Sequence, residues 1–220
     1  VGSEAKRFQP GDEVFGDIGA CGFGAFAEYV AAPESALAPK PANTTFEGAA
    51  AVSQAAIVAL QGLRNTGKIQ PGQKVLINGA SGGIGTFAVQ IAKSFGAEVT
   101  GVCSTRNLDL VRSLGADQVI DYTQEDFTTG EQHYDLIFSI VANRSVSDYT
   151  RALTPKGNYV AVAFNVRALI SMSGSKQASQ LSHEPNVKDL VFMKELIEAG
   201  KVVPVVDRIY PLSEVAVAMR

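Results

Sequence analysis

The chain has 220 residues, 46% hydrophobic, 19% charged and 8% aromatic, enough apolar material for a packed core and too much for a disordered tail. Nineteen basic residues stand against 22 acidic ones, a net charge of -3 with no basic stripe, so no nucleic-acid partner is expected. Apolar runs are broken by Gly, Gln or Lys before they reach bilayer length, and no membrane span is expected. The two cysteines, Cys21 and Cys103, can build neither a disulfide framework nor a four-thiolate zinc site, which points to a reducing compartment: the cytoplasm, with an organelle as the alternative.

Val1 opens the chain without a signal or transit pattern, and a helix capped by Ser213 would stop on Arg220. Such a helix has about two turns and too little apolar face to hold a terminus, so a piece of a longer protein is expected. In between, residues 1–40 read as short strands and turns, with Glu13–Gly16 after the Pro10-Gly11 turn and partial alternation over Gly24–Val30. Pro33, Pro39 and Pro41 make a connector, and Thr44 with Glu47 forms a capping box for an Ala-rich helix from Gly48 to Leu63, ended by Gly67.

From Gln73 onward strands and helices alternate. Lys74–Asn78 is a buried strand, Thr86–Phe95 a helix closed by Gly96, and Glu98–Cys103 a second strand. Asn107–Leu114 is a helix stopped by Gly115, followed by strands at Gln118–Tyr122 and Tyr134–Val141. Ser145 caps a helix to Leu153, Pro155–Gly157 is a turn, and Asn158–Phe164 is a fifth strand. Residues 165–186 lack a period and read as a loop or irregular insertion; Val187–Ala199 is a helix and Val202–Tyr210 a further strand. Strands separated by helices of this length run parallel, so the expected fold is α/β with a doubly wound sheet.

The first strand and first helix are joined by Asn78-Gly79-Ala80-Ser81-Gly82-Gly83-Ile84-Gly85. Ala80, Gly82 and Gly85 carry the dinucleotide fingerprint with alanine first. The turn is tight, the backbone can approach a pyrophosphate, and the last glycine lets helix and strand pack. Ala80, Ser81, Gly82, Gly83, Ile84 and Gly85 are therefore the candidate phosphate-binding residues, with the helix N-terminus behind them. About 20 residues on, where an acid would hold the ribose 2′-hydroxyl of NAD, stand Ser104, Thr105 and Arg106. Hydroxyls and a guanidinium suit a 2′-phosphate, so NADPH (NADP) is the expected cofactor; Tyr122, ending the third strand, is a candidate to lie against the adenosine. Gly62–Ile69 nearly spells a P-loop but follows a helix and has Ile69 where magnesium needs Ser or Thr.

Together, Phe8–Gly16, Gly24–Val30, Gln70–Gly85, Gly101–Arg106, Leu114–Asp117 and Glu198–Lys201 resemble the medium-chain dehydrogenase/reductases, in the order in which that family has them. The chain looks most like the zinc-independent quinone oxidoreductase branch, with its zeta-crystallin-like and reticulon-4-interacting-protein-like members. The resemblance implies the tail of a GroES-like substrate domain over 1–45 and a Rossmann domain over 46–220, its last helix and strand incomplete. It also implies a small-molecule substrate, a homodimer, and hydride transfer from NADPH to a quinone or an α,β-unsaturated carbonyl. The family's substrate-side polar residues would precede Val1, so no catalytic residue and no metal ligand is assigned. The nicotinamide is expected to pass Val141, Ala163 and Phe164. Here the chain departs from its relatives: Ser139-Ile140-Val141-Ala142 replaces Asp-x-Val-Gly, Ala163-Phe164-Asn165 replaces glycines, and Val58 replaces Thr. Those changes support an alternative, a nucleotide-binding or interaction protein of the same fold with impaired turnover.

Other chemistries fit less well. Short-chain dehydrogenases need Tyr-x-x-x-Lys, and none of the six tyrosines has Lys four residues on. Gly79-Ala80-Ser81-Gly82-Gly83 spells a hydrolase elbow, with His133 and His183 downstream, but the dinucleotide turn accounts for more of the same residues.

Overall fold

The structure is a computed structural model that describes residues 1–141, 143–162 and 175–220. Packing divides the chain into two compact units, Val1–Ile57 with Glu184–Arg220, and Val58–His183.

The second unit is a parallel six-stranded sheet with helices, Rossmann-like. Its strands are β3 (Lys74–Asn78), β4 (Glu98–Cys103), β5 (Gln118–Asp121), β6 (Tyr134–Ser139), β7 (Leu153–Ala161) and β8 (Ala178–Gln180), in the order β5-β4-β3-β6-β7-β8. Val75 pairs with Val99 on one side and with Leu136 on the other. Val75, Leu76 and Ile77 are wholly buried, because a central parallel strand is covered on both faces. The connections are α2 (Gly83–Ser94), α3 (Leu108–Ser113) and α4 (Val146–Arg151). Leu76, Ile137, Tyr149 and Tyr159 share one core cluster, and the rings of Tyr149 and Tyr159 stack at 4.4 Å. Strand order reverses between β3 and β6, the place where a doubly wound sheet opens a crevice at its strand ends.

The first unit pairs β1 (Val14–Gly16) antiparallel with β2 (Leu37–Pro39). It also holds α5 (Val187–Glu198), which packs on β2, and the short α6 (Val215–Ala218). Asn186 caps α5 by accepting from the Asp189 N–H at 2.9 Å, and Leu190, Met193 and Ile197 form its buried face. At its end Asn43 Nδ2 donates to the Ile197 carbonyl and the Ala42 N–H to Glu198. The helix α1 (Phe46–Gln61) belongs to both units and continues as a π-helical turn over Gly62–Thr66. Phe46–Thr66 has the length and mean hydropathy, 1.2, of a membrane span, yet 67% of that window is buried, as in a core helix.

Several local expectations are corrected. The cap of α1 is Thr45, whose Oγ1 accepts from the Gly48 N–H at 3.2 Å, one residue later than the Thr44–Glu47 reading. Gly24–Val30 is irregular, with Phe26 and Tyr29 exposed, because no described strand lies beside it. Val202–Tyr210 is likewise no strand: its valines are spaced for one, but no strand ladder among the described residues includes it. β7 starts at Leu153, and Pro155–Gly157 sits inside a register shift of that strand instead of ending a turn before it. Part of the stretch read as irregular, Ala178–Gln180, is the sixth strand, recruited by Tyr159–Ala161. Ser213 makes no cap; it lies inside a 3-10 turn, Leu212–Glu214, that leads into α6. Tyr122 and Val141 fall just beyond their strands.

Candidate cofactor site

The turn leaves β3 at Gly79, whose φ of +91° is a left-handed conformation open to glycine. The N–H groups of Gly79 and Ala80 both donate to the Val102 carbonyl, at 3.1 and 3.0 Å, which ties the turn to β4. A Cβ at Gly85 would overlap the Gly79 carbonyl oxygen and the Ala80 backbone, so helix and strand approach as closely as they do only with glycine there. At Gly83 a Cβ would meet nothing within 4 Å. No packing demands that glycine; it leaves bare backbone facing open space.

The first helical bond of α2 runs from the Thr86 N–H to the Gly82 carbonyl at 2.9 Å. The N–H groups of Gly83, Ile84 and Gly85 therefore have no intrahelical acceptor, and no acidic side chain stands in the first turn to offset the positive end of the helix. This is a ready cradle for a diphosphate.

At the end of β4, Ser104 is half-buried and Thr105 and Arg106 are exposed. No carboxylate pairs with Arg106 among the described residues. The three positions differ in what they can offer. Thr105 Oγ1 donates to Asp121 Oδ2 at the end of β5, and Asp121 also accepts from the N–H and hydroxyl of Thr123, at 2.9 and 2.8 Å. Those donors, the Thr105 hydroxyl first, hold the Asp121 carboxyl below the usual aspartate range. Thr105 thus keeps only lone pairs to present, so the reading of it as a phosphate donor is not supported by its hydrogen bonding. Asn107, missed in the sequence, closes the wall: its Nδ2 stands 3.1 Å from Ser81 Oγ and 3.2 Å from Ser104 Oγ. Tyr122 is 52% exposed, its ring at the rim while its N–H holds the Cys103 carbonyl at 3.1 Å.

At the other side of the switch point Val141 is 46% exposed. Its carbonyl is held by Asn78 Nδ2 at 2.9 Å, Ser139 Oγ at 2.9 Å and the Tyr149 hydroxyl at 3.0 Å. Ser139 is fully buried and serves as a neutral strut beneath the loop. Ala163 and Phe164, also expected near the nicotinamide, lie outside the described residues, as does Ala142. Asn78 and Tyr149 were not assigned to the site from sequence, and Asp121 was read there only as a strand-boundary acid explained by solvation and capping; the signal for Asn78 was a polar residue ending an apolar strand, and Tyr149, inside α4, had none. Among the described residues no three His, Cys, Asp or Glu side chains form a group that could hold a metal ion.

Residues 114–220 match the family model described as zinc-binding dehydrogenase. The chloroplast envelope quinone oxidoreductase homolog of Arabidopsis thaliana is 34% identical over 97% of this chain and 70% of its own length. The chloroplastic NADPH-dependent alkenal/one oxidoreductase of the same plant is 34% identical over 98% of this chain. The chain spans 56% of that relative's length. The solved quinone oxidoreductase of Coxiella burnetii superposes with a TM-score of 0.88 at 29% identity, over 100% of this chain and 70% of that one. The glycine turn, the free N–H groups behind it and these likenesses converge on one conclusion: the chain belongs to the medium-chain dehydrogenase/reductase family, with quinone and alkenal oxidoreductases among its relatives.

Proposed function

We propose that this chain holds NADPH for an oxidoreductase that delivers hydride to a quinone or an α,β-unsaturated carbonyl without zinc. The observation that carries the reading is the open turn at Gly83 with the unpaired N–H groups of α2 behind it, flanked by Ser104 and Arg106. When bound, the dinucleotide supplies two electrons and a proton as hydride from its nicotinamide and is left oxidised. The chain's own residues do the rest. Gly83, Ile84 and Gly85 hold the diphosphate, Arg106 and the serines face the adenosine ribose, and Tyr122 lines the adenosine side. Asn78, Ser139 and Tyr149 fix the Val141 carbonyl at the strand end where the nicotinamide would lie. An electron-poor double bond accepts hydride at carbon, and a proton from a hydrogen-bond donor or solvent completes the hydroquinone or saturated carbonyl.

Residues 1–45 are assigned to the tail of a GroES-like substrate domain and 46–220 to the cofactor domain, on the strength of the resemblance. The same resemblance supports a homodimer. The two Arabidopsis relatives carry chloroplast names, which supports an organelle over the cytoplasm first expected.

The test is calorimetric titration of the chain with NADPH and NADH, followed by near-ultraviolet absorbance of NADPH with a benzoquinone and with an enone. Binding with oxidation supports the reading. Binding without oxidation by either acceptor moves the assignment to a nucleotide-binding protein of this fold. Absence of binding by both nucleotides overturns it.

A further inference from the structure

Asn107 joins two segments 26 residues apart. It closes the 3-10 turn Thr105–Asn107 after β4, its own N–H donating to the Ser104 carbonyl at 2.9 Å, so the backbone fixes where its side chain can reach. From there a single amide nitrogen contacts both Ser81 Oγ in the glycine turn and Ser104 Oγ at the end of β4. An amide nitrogen has two hydrogens, and each is directed to a different hydroxyl oxygen.

The consequence is a matter of proton direction. A hydroxyl that accepts a hydrogen bond still has its own proton to give, and among the described residues neither Ser81 nor Ser104 has an acceptor for it. Thr105 is the opposite case, since its proton is committed to the Asp121 carboxylate. The wall therefore presents two donors from Ser81 and Ser104 and, beside them, the exposed cation of Arg106. A phosphate monoester is acceptor-only and charged, whereas a ribose hydroxyl both gives and takes, so donors fixed in this sense match the phosphate better.

We propose that Asn107 is a positioning residue that presets the Ser81 and Ser104 hydroxyls as donors to the ribose 2′-phosphate, and that this sets a preference for NADPH over NADH. The inference rests on the reading that the glycine turn binds a dinucleotide. Asn107 touches no reacting atom; it acts through the two serines.

The experiment titrates the parent, Asn107→Ala, Asn107→Asp, Ser104→Ala and the double variant Asn107→Ala/Ser104→Ala with NADPH and with NADH. Losing a donor to a charged oxygen weakens binding about tenfold, so Asn107→Ala is expected to weaken NADPH by that order and to leave NADH within about twofold. Asn107→Asp is nearly isosteric, but its carboxylate takes the protons of both serines and turns them away from the ligand. The NADPH preference should fall in the order Asn, Ala, Asp. A purely structural role would put the isostere nearest the parent and move both cofactors alike, and that result overturns the inference. Asp also repels phosphate directly, so the double variant is the independent arm. If Asn107 works through Ser104, adding Ser104→Ala to Asn107→Ala costs less than Ser104→Ala alone, whereas strict additivity overturns the inference. Parent protein that binds neither nucleotide removes the dinucleotide reading, and this inference falls with it. Binding of both with a preference unmoved by any variant removes this inference alone.

Discussion

Asn78 at the end of β3 and Tyr149 in α4, 71 positions apart, meet at 3.0 Å between the amide nitrogen and the phenol oxygen. Both groups also reach the Val141 carbonyl, so one strand end and one helix clamp the loop between them. Tyr149 is fully buried and its ring stacks on Tyr159. Burial pushes its hydroxyl above the ordinary tyrosine range, so it serves as a neutral donor at all physiological pH. Tyr149→Phe keeps the stack and removes the hydroxyl, and is expected to lower unfolding free energy by about 1 kcal/mol in urea titrations. Tyr149→Leu removes the stack as well and should cost about 1 kcal/mol more. Equal losses in the two variants would show that the ring stack contributes nothing beyond the hydroxyl.

Two glycines of the turn separate folding from binding. Gly85→Ala places a methyl onto the Gly79 carbonyl and should destabilise by about 2 kcal/mol, with cofactor binding lost as the turn shifts. Gly83→Ala has open space for its methyl and lies in the first turn of α2. Its stability should be unchanged or raised by up to about 1 kcal/mol, while NADPH binding weakens because the methyl occupies the face left bare for phosphate. Thermal melts and titrations on the same samples check both. Unaltered NADPH binding in Gly83→Ala would place the diphosphate elsewhere.

The cysteines give a probe of β4. Cys21 is exposed, whereas Cys103, the last residue of β4, is buried. Burial first, and then the Asp121 charge nearby, push the Cys103 thiol up, which lowers its thiolate fraction as well as its access. A thiol-reactive disulfide reagent should titrate one group in the native protein and two after unfolding. Rapid labelling of both in the native state would mean that the end of β4 opens readily, taking the Ser104–Asn107 wall with it.

What the sequence made legible was what is local. The β3–turn–α2–β4 unit follows from an apolar strand, a glycine turn and a periodic helix, all within one stretch of chain, and the Ser145 cap was visible for the same reason. Val202–Tyr210 has the composition of a strand, but a strand needs a ladder partner, and composition does not say whether one is beside it. β8, only Ala-Ser-Gln, has no signal of its own and exists because β7 offers its edge. The site divides the same way. Spacing after the turn pointed to Ser104, Thr105 and Arg106. The hydrogen bonds at Ser104 and Thr105 depended on Asn107 reaching across to Ser81 and on β5 lying next to β4, which brings Asp121 to Thr105.

Asp121 links this wall to acid stability. Its oxygens accept from Thr105 and twice from Thr123, and the folded state therefore favours the ionised form. With a folded value below the unfolded one of about 3.9, the stabilisation is complete above about pH 5 and disappears as pH falls through the lower folded value. The urea midpoint of the parent should fall over that acid range, and Asp121→Asn, which cannot ionise, should show a shallower fall. The difference between them should be largest near neutrality and shrink toward the acid end. Asp117, Asp126 and Asp148 are also held below the ordinary range, so the variant keeps a residual slope. Parallel curves for the two proteins down to pH 3 would mean that the Thr105 and Thr123 bonds do not favour the charge, and that the Thr105 proton is free for a ligand after all.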